Sequence, residues 1–306
     1  MLKHEYIGIY TYILMASKIS LAASKIRNFF SSGSHVYKQT DLRTILQENR
    51  EIWKLPQGMS STQFISWLLS ETELNQVRLT SEQYDPITKY VWNNPSVYSV
   101  ALALRPNSYL SHATAVYLHG LNEHIPRTIY VNKEQSPKPT PAAPPSQESI
   151  TRTFSNRQRE SNYIYSYKNS KIVILSGKST GQLEVADLKG PEDEMLRVTR
   201  IPRTLVDIAV RPSYSGGVFQ VIEAYRGAKD RVSINTVIAV LKQLNYSYPY
   251  HQAIGFYMTK AGFPATQVAK LKELGLKFDF YLDYYIPEKQ REYDAEWRLF
   301  YPKGLQ

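Results

Sequence analysis

Ser60-Ser-Thr-Gln-Phe-Ile-Ser-Trp-Leu-Leu-Ser-Glu-Thr-Glu73 is the stretch on which the fold turns. Phe64, Ile65, Leu68 and Leu69 recur at helical spacing, and they leave Thr62, Gln63 and Ser66 on the opposite edge. Ser60 or Ser61 can cap the start, because a short hydroxyl side chain accepts from the first unpaired N–H groups of a helix. The pattern predicts a helix running to about Glu73.

Working outward, Val77-Arg-Leu79 and Ile87-Thr-Lys-Tyr-Val-Trp92 are strand-like runs joined by a polar turn holding Asp85-Pro86. On the other side, Trp53-Lys-Leu-Pro-Gln-Gly58 breaks the chain. Before it, Thr40 can cap a helix whose buried side is Leu42, Ile45 and Leu46, with Asp41 at the positive end of the dipole. Earlier still, Ile19, Ala22, Ile26 and Phe29 share a helical stripe that Ser31-Ser-Gly33 stops, and His35-Val-Tyr-Lys38 suits a short strand. Helix, strand, helix, turn, helix and hairpin is the order of a winged helix-turn-helix. In that arrangement the third helix enters the major groove. Thr62, Gln63 and Ser66 then face the bases, glutamine being able to bond adenine through both amide atoms. Lys54, Arg43, Arg78 and Lys89 are the candidate phosphate contacts. An ordinary amphipathic surface helix has the same periodicity; the order of elements around it is what favours DNA.

The chain of 306 residues is long enough for two domains, and no cysteine occurs, which excludes disulfides and thiolate metal sites. Its formal charge of +10 favours a polyanionic partner. The excess is spread along the chain, and the segment from Asp41 to Asp85 holds more acids than bases. Charge by itself does not carry the DNA reading. The run Tyr6-Ile-Gly-Ile-Tyr-Thr-Tyr-Ile-Leu-Met15 is too short to span a membrane, and its glycine, threonine and tyrosines dilute a secretory signal. Residues 1–14 are a candidate extension, with Met15 the alternative start to Met1. No other stretch approaches membrane-spanning length.

The rest of the chain mixes both element types. Helices are expected from Pro95 to Leu104, Ser111 to Leu121 and Ser146 to Arg159, then at about Arg203–Val210, Gly217–Arg226, Ser233–Leu244, Pro249–Ala261 and Ala265–Leu274. Strands are expected from Pro126 to Asn132, Lys171 to Leu175 and Arg197 to Ile201, with Leu183-Glu-Val185 strand-like. Phe278, Phe280, Leu282 and Tyr284 alternate with polar residues as in a half-buried strand, and Tyr293 to Phe300 is its expected partner. The prolines within 136–145 allow neither helix nor central strand and make that segment a loop. The expected fold is α+β, with a winged helix-turn-helix over 1–105 and a mixed α/β domain over 106–306.

Gly177-Lys-Ser-Thr180 imitates the end of a phosphate-binding loop, but Ile172 stands where the motif needs its first glycine. His112 and His119 lie two helical turns apart, too far to share one ion, so core packing and helix-end hydrogen bonds suit them better. Asp207, Glu223, Asp279, Asp283 and Asp294 are conceivable nuclease carboxylates, although Asp207 also sits four residues from Arg203, the spacing of an intrahelical ion pair. The 24 tyrosines, clustered at Tyr246-Ser-Tyr-Pro-Tyr250 and Tyr281 to Tyr285, suit an interface or a core equally.

Ser111-His-Ala-Thr-Ala-Val-Tyr-Leu-His-Gly-Leu121 and Ile201-Pro-Arg-Thr-Leu-Val-Asp-Ile-Ala-Val-Arg-Pro-Ser-Tyr-Ser-Gly-Gly-Val218 resemble the AbiEi family, the antitoxin half of abortive-infection toxin–antitoxin pairs used in phage defence. The similarity runs from about Ala16 to Leu305. It includes Ile129-Tyr-Val-Asn-Lys-Glu-Gln-Ser-Pro-Lys138, Ile174-Leu-Ser-Gly-Lys-Ser-Thr-Gly181 and Asp294-Ala-Glu-Trp-Arg-Leu-Phe-Tyr301. The first fourteen residues and the enlarged proline loop depart from it. The resemblance implies a cytoplasmic transcriptional autorepressor that binds double-stranded DNA at inverted repeats in its own promoter. It also implies a C-terminal domain that counteracts an AbiEii-type nucleotidyltransferase toxin, with no enzymatic activity and no cofactor, and it makes the Gly177-Lys-Ser-Thr run a family turn. The alternatives are an antitoxin that sequesters the toxin directly with little DNA binding and, ranked below it, a metal-dependent nuclease.

Overall fold

The computed structural model describes residues 19–137 and 144–305. The expectation for 1–14, and the middle of the proline loop, lie outside the described residues. The molecule is mixed α+β and divides into two compact units, Met1–Ala103 and Leu104–Gln306.

In the first unit, α1 (19–32) precedes β1 (Val36–Tyr37), α2 (Gln39–Asn49), α3 (Ser61–Glu71), β2 (Leu74–Leu79), β3 (Ile87–Trp92) and α4 (Val97–Leu102). The three strands form an antiparallel sheet in the order β1-β3-β2, with Leu74 opposite Trp92 and Leu79 opposite Ile87. The helices close over an aromatic core in which Phe30 stacks on Trp92 at 5.0 Å and Trp53 on Phe64 at 6.0 Å. Phe30, not the expected Phe29, completes the α1 stripe. A 3.6-residue repeat counted from Ile26 falls between the two, and Phe29 instead lays its edge against Trp53 from a partly exposed position. Thr40 does not cap α2. The N-cap is Lys38, and the Asp41 carboxylate accepts from its backbone N–H at 2.7 Å, so Thr40 falls inside the first turn.

The second unit is built on six strands: β4 (Ser108–Leu110), β5 (Thr128–Glu134), β6 (Ile164–Tyr167), β7 (Ser170–Gly177), β8 (Val185–Lys189) and β9 (Met195–Thr199). Their order is β6-β7-β5-β4-β9-β8, parallel at β5/β7 and β4/β9 and antiparallel elsewhere. Ile172, Val173, Ile174 and Leu175 on β7 are all buried, as in a strand covered on both faces. Around the sheet lie α5 (His112–Leu118), α6 (Gln147–Phe154), α7 (Ile201–Val210), α8 (Val218–Ala228), α9 (Ile234–Leu244), α10 (Tyr250–Lys260) and α11 (Ala265–Lys272). Every residue of α7 from Arg203 to Val210 is buried, and α7 packs against α5, α8, α9 and α10. Pro202, lacking an N–H, occupies its first turn, where none is needed.

The sequence expectations differ at several places. The strand β4 and the edge strand β6 were not anticipated, α6 stops at Phe154 rather than Arg159, β8 begins at Val185, and β9 ends at Thr199. The alternation from Phe278 to Tyr284 yields only β10 (Phe280–Tyr281). The expected partner divides into β11 (Arg291–Asp294) and β12 (Leu299–Pro302), joined by a turn in which the Asp294 carboxylate accepts from Trp297 N–H at 2.8 Å. These form a second sheet in the order β10-β12-β11. Among the described residues, no helix is long and apolar enough to cross a membrane.

Candidate nucleic-acid interface

The third helix presents a divided surface. Phe64, Ile65 and Leu68 are buried, while Thr62, Gln63 and Ser66 are exposed. Its start is a reciprocal cap. Ser60 Oγ accepts from Gln63 N–H at 3.2 Å, and Gln63 Oε1 accepts from Ser60 N–H at 2.8 Å. This gives Gln63 a capping role beside the expected one. Bidentate pairing with adenine needs the carbonyl oxygen and the amide nitrogen together. While the cap is closed, one lone pair of Gln63 Oε1 is taken by Ser60 N–H. The sequence carries the signal as Ser-x-x-Gln.

The turn between α2 and α3 is held by a residue that the sequence did not single out. The Arg50 guanidinium donates to the carbonyls of Pro56, Gln57 and Met59, the last at 2.9 Å. Trp53, Leu55 and Met59 anchor the turn in the core, and Lys54 stands exposed between them in the left-handed region at φ 52°. Arg43 on α2 and Arg78 on β2 are exposed as well. Arg43, Lys54 and Arg78 have no side-chain hydrogen-bond or ion-pair partner among the described residues.

Lys89 is different and must be removed from the phosphate contacts. It lies opposite Val77 on β3, is 3% exposed, and donates from Nζ to the Ala103 carbonyl at 2.6 Å. The ammonium satisfies the C-terminal end of α4, where backbone carbonyls lack partners.

In the second unit the lysine of Gly177-Lys-Ser-Thr180 is turned away from any phosphate position. Lys178 Nζ donates to the carbonyls of Leu244 at 2.5 Å and Asn245 at 2.8 Å, closing the end of α9. Thr180 donates from both hydroxyl and backbone to the Glu134 carboxylate, which also accepts from Tyr109 Oη and Gln182 N–H. Burial pushes the Glu134 pKa up, and these four hydrogen bonds outweigh it, holding the carboxyl below its ordinary value. Gly177 is required here because a Cβ would run into the Asn132 side chain. The segment is a structural turn.

The other candidates are likewise committed. Asp207 pairs with Arg203 at 2.7 Å in the core, and Glu223 pairs with Arg226 at 2.6 Å. Asp279 accepts from Arg298 at 3.0 Å and from Tyr293 Oη at 2.8 Å. Asp283 accepts from Tyr284 N–H. No group of three carboxylates, histidines or cysteines that could hold a metal ion forms among the described residues. His119 Nε2 bonds the Thr199 carbonyl at 2.7 Å, and buried His112 bonds Ser111 Oγ at 2.9 Å. Burial lowers the His112 pKa to about 4, so its ring is neutral near pH 7. Many of the tyrosines are core residues, Tyr225, Tyr250 and Tyr257 among them.

No protein-family profile matches the chain, and no curated protein does. Among solved structures, the chain is similar to the RV2827C protein of Mycobacterium tuberculosis, with a TM-score of 0.57 and 14% identity over 93% of this chain and 91% of that one. At that identity the likeness concerns the fold, and it extends through both units.

Proposed function

We propose that the protein is an AbiEi-type antitoxin and transcriptional autorepressor. In this reading the first unit is a winged helix-turn-helix with α3 as recognition helix and the β2–β3 hairpin as wing. It binds double-stranded DNA at inverted repeats in its own promoter, in the cytoplasm. The second unit counteracts a co-encoded AbiEii-type nucleotidyltransferase toxin. The supporting observation is the divided surface of α3: an apolar face sealed in the core, a polar edge of Thr62, Gln63 and Ser66 in solvent, and Lys54 unpaired on the adjoining turn. A recognition helix needs that combination, because base edges are read by polar side chains while nearby cations fix the register on the phosphates.

Gel-shift titration against the gene's own upstream DNA tests it. Replacing Thr62 and Ser66 by alanine is expected to relax sequence preference, at about 1–3 kcal/mol per lost base contact. Lys54→Glu or Arg78→Glu is expected to weaken binding to all sequences alike, each lowering the slope of log affinity against log salt by about one. Unchanged affinity and preference in all four variants removes the assignment. For the antidote role, co-expression of the second unit with the neighbouring nucleotidyltransferase is expected to restore growth.

A further inference from the structure

A second surface, remote in sequence from α3, combines cationic and aromatic groups. Residues 152–159 contain three exposed arginines, Arg152, Arg157 and Arg159, and no carboxylate; Glu160 follows and lies near Tyr130 and Tyr214. Arg157 sits 5.4 Å above the ring of Tyr285, which is 56% exposed. Tyr285 N–H donates to the Phe154 carbonyl at 2.7 Å, fastening that exposed ring to the end of α6. One residue back, Tyr284 lies 5.9 Å from the Arg211 guanidinium and hydrogen-bonds Tyr250. Thr153 Oγ1 lies 3.0 Å from Tyr248 Oη. Tyr248 and Tyr250 both line a cavity of about 220 Å³, together with Tyr246, His251 and Lys242. Within the arginine segment, both polar side-chain atoms of Gln158 are buried without a hydrogen-bond partner among the described residues.

These features share one chemistry. Arginines without carboxylate partners among the described residues, set beside an exposed ring, present charge to a polyanion and a flat face to a base. The cavity falls below the roughly 300–1,000 Å³ of sites that enclose whole small molecules, and three tyrosines and His251 line it beside Leu241 and Leu274, so it suits a single planar ring. A duplex keeps its bases stacked inside and offers none to such a slot. A single strand offers them freely.

We propose that this face binds single-stranded nucleic acid, with phosphates against Arg152, Arg157 and Arg159, one base on Tyr285 and a neighbouring base in the tyrosine-lined cavity. The site does not depend on the promoter reading of α3 and uses none of its residues.

The test is fluorescence anisotropy of the full chain with labelled uridine and thymidine oligonucleotides of about 12 nucleotides, a length that spans one such site. Arg152→Glu combined with Arg157→Glu is expected to weaken binding at least about tenfold and to flatten its salt dependence. Tyr285→Asn is expected to weaken it by about 5- to 100-fold, the effect of one lost stacked base. Tyr285 has φ 51°, which asparagine tolerates, so this exposed change leaves the backbone intact. Binding of either oligonucleotide that both variants lose supports the site, and the tighter of the two identifies the strand type. Duplex promoter binding stays unchanged in both, whereas Lys54→Glu has the reverse pattern. If neither oligonucleotide binds, or if both variants bind like the parent protein while retaining its circular dichroism spectrum, the proposal fails.

Discussion

Arg50 is the C-cap residue of α2 and pairs with no acid among the described residues, yet its side chain holds three carbonyls of the α2–α3 turn at once. Hydrogen bonds from a charged donor contribute about 1.5–3 kcal/mol each at most and share one desolvated group here. Arg50→Ala is therefore expected to destabilise the first unit by about 2–3 kcal/mol, read as a lower urea midpoint. Arg203 and Asp207 are a stronger case, since both side chains are almost fully buried. Asp207→Ala leaves a guanidinium unpaired in the core and is expected to cost about 3–5 kcal/mol, whereas replacing both partners by apolar residues of similar volume is expected to cost far less. His112 supplies a pH dependence. Its folded pKa of about 4 lies below the ordinary value of 6.5, so protons favour the unfolded chain. That contribution is complete above pH 6.5 and is lost as pH falls towards 4, with about 3 kcal/mol at stake. His119 and His251, also lowered by burial, act in the same direction. Unfolding midpoints of His112→Gln measured between pH 4 and 7 are expected to fall less steeply than those of the parent; an identical slope sinks the assignment.

At the scale of elements, α3 was legible because everything that makes it a helix is local. Its stripe, its Ser60 cap and the proline and glycine before it all lie within about four turns of chain. Ser60→Ala removes the Oγ that accepts from Gln63 N–H and is expected to cost about 0.5–2 kcal/mol, read by circular dichroism on thermal melting. The strands were less legible. With only three residues, β4 offers too little pattern, and the burial of Tyr165 and Tyr167 on β6 depends on pairing with β7. At β10 a convincing alternation stopped after two residues because β12, its parallel partner, is itself short. Helix packing sets its own local demand. Gly255 on α10 faces the ring of Trp297, which a Cβ would penetrate, so Gly255→Ala is expected to destabilise the second unit by about 1–3 kcal/mol or to displace that indole, visible as a shift in tryptophan fluorescence.

For the whole molecule, each unit has its own hydrophobic cluster, one centred on Phe30, Trp53, Phe64 and Trp92, the other on α7, α10 and Trp297. Calorimetry is expected to show Arg50→Ala moving the transition of the first unit and Asp207→Ala that of the second, because neither residue belongs to the other core. The candidate interface was legible to the same extent as the helix that carries it. Thr62, Ser66, Lys54, Arg43 and Arg78 are exposed where the pattern put them, and Lys89 is not. Its inward turn follows from the register of β3 and from an acceptor fourteen residues away.

The amino-acid order alone determined the polar edge of α3, the capping serine, the absence of thiol chemistry and the excess of positive charge, since each is a property of neighbouring residues or of composition. Only the tertiary structure decided that Lys89 is withdrawn, that Lys178 closes a helix end instead of cradling phosphate, and that Arg157 lies over the ring of Tyr285. The reason is physical: exposure and hydrogen-bond partners are set by elements brought together from distant parts of the chain, and no local periodicity encodes which ones arrive.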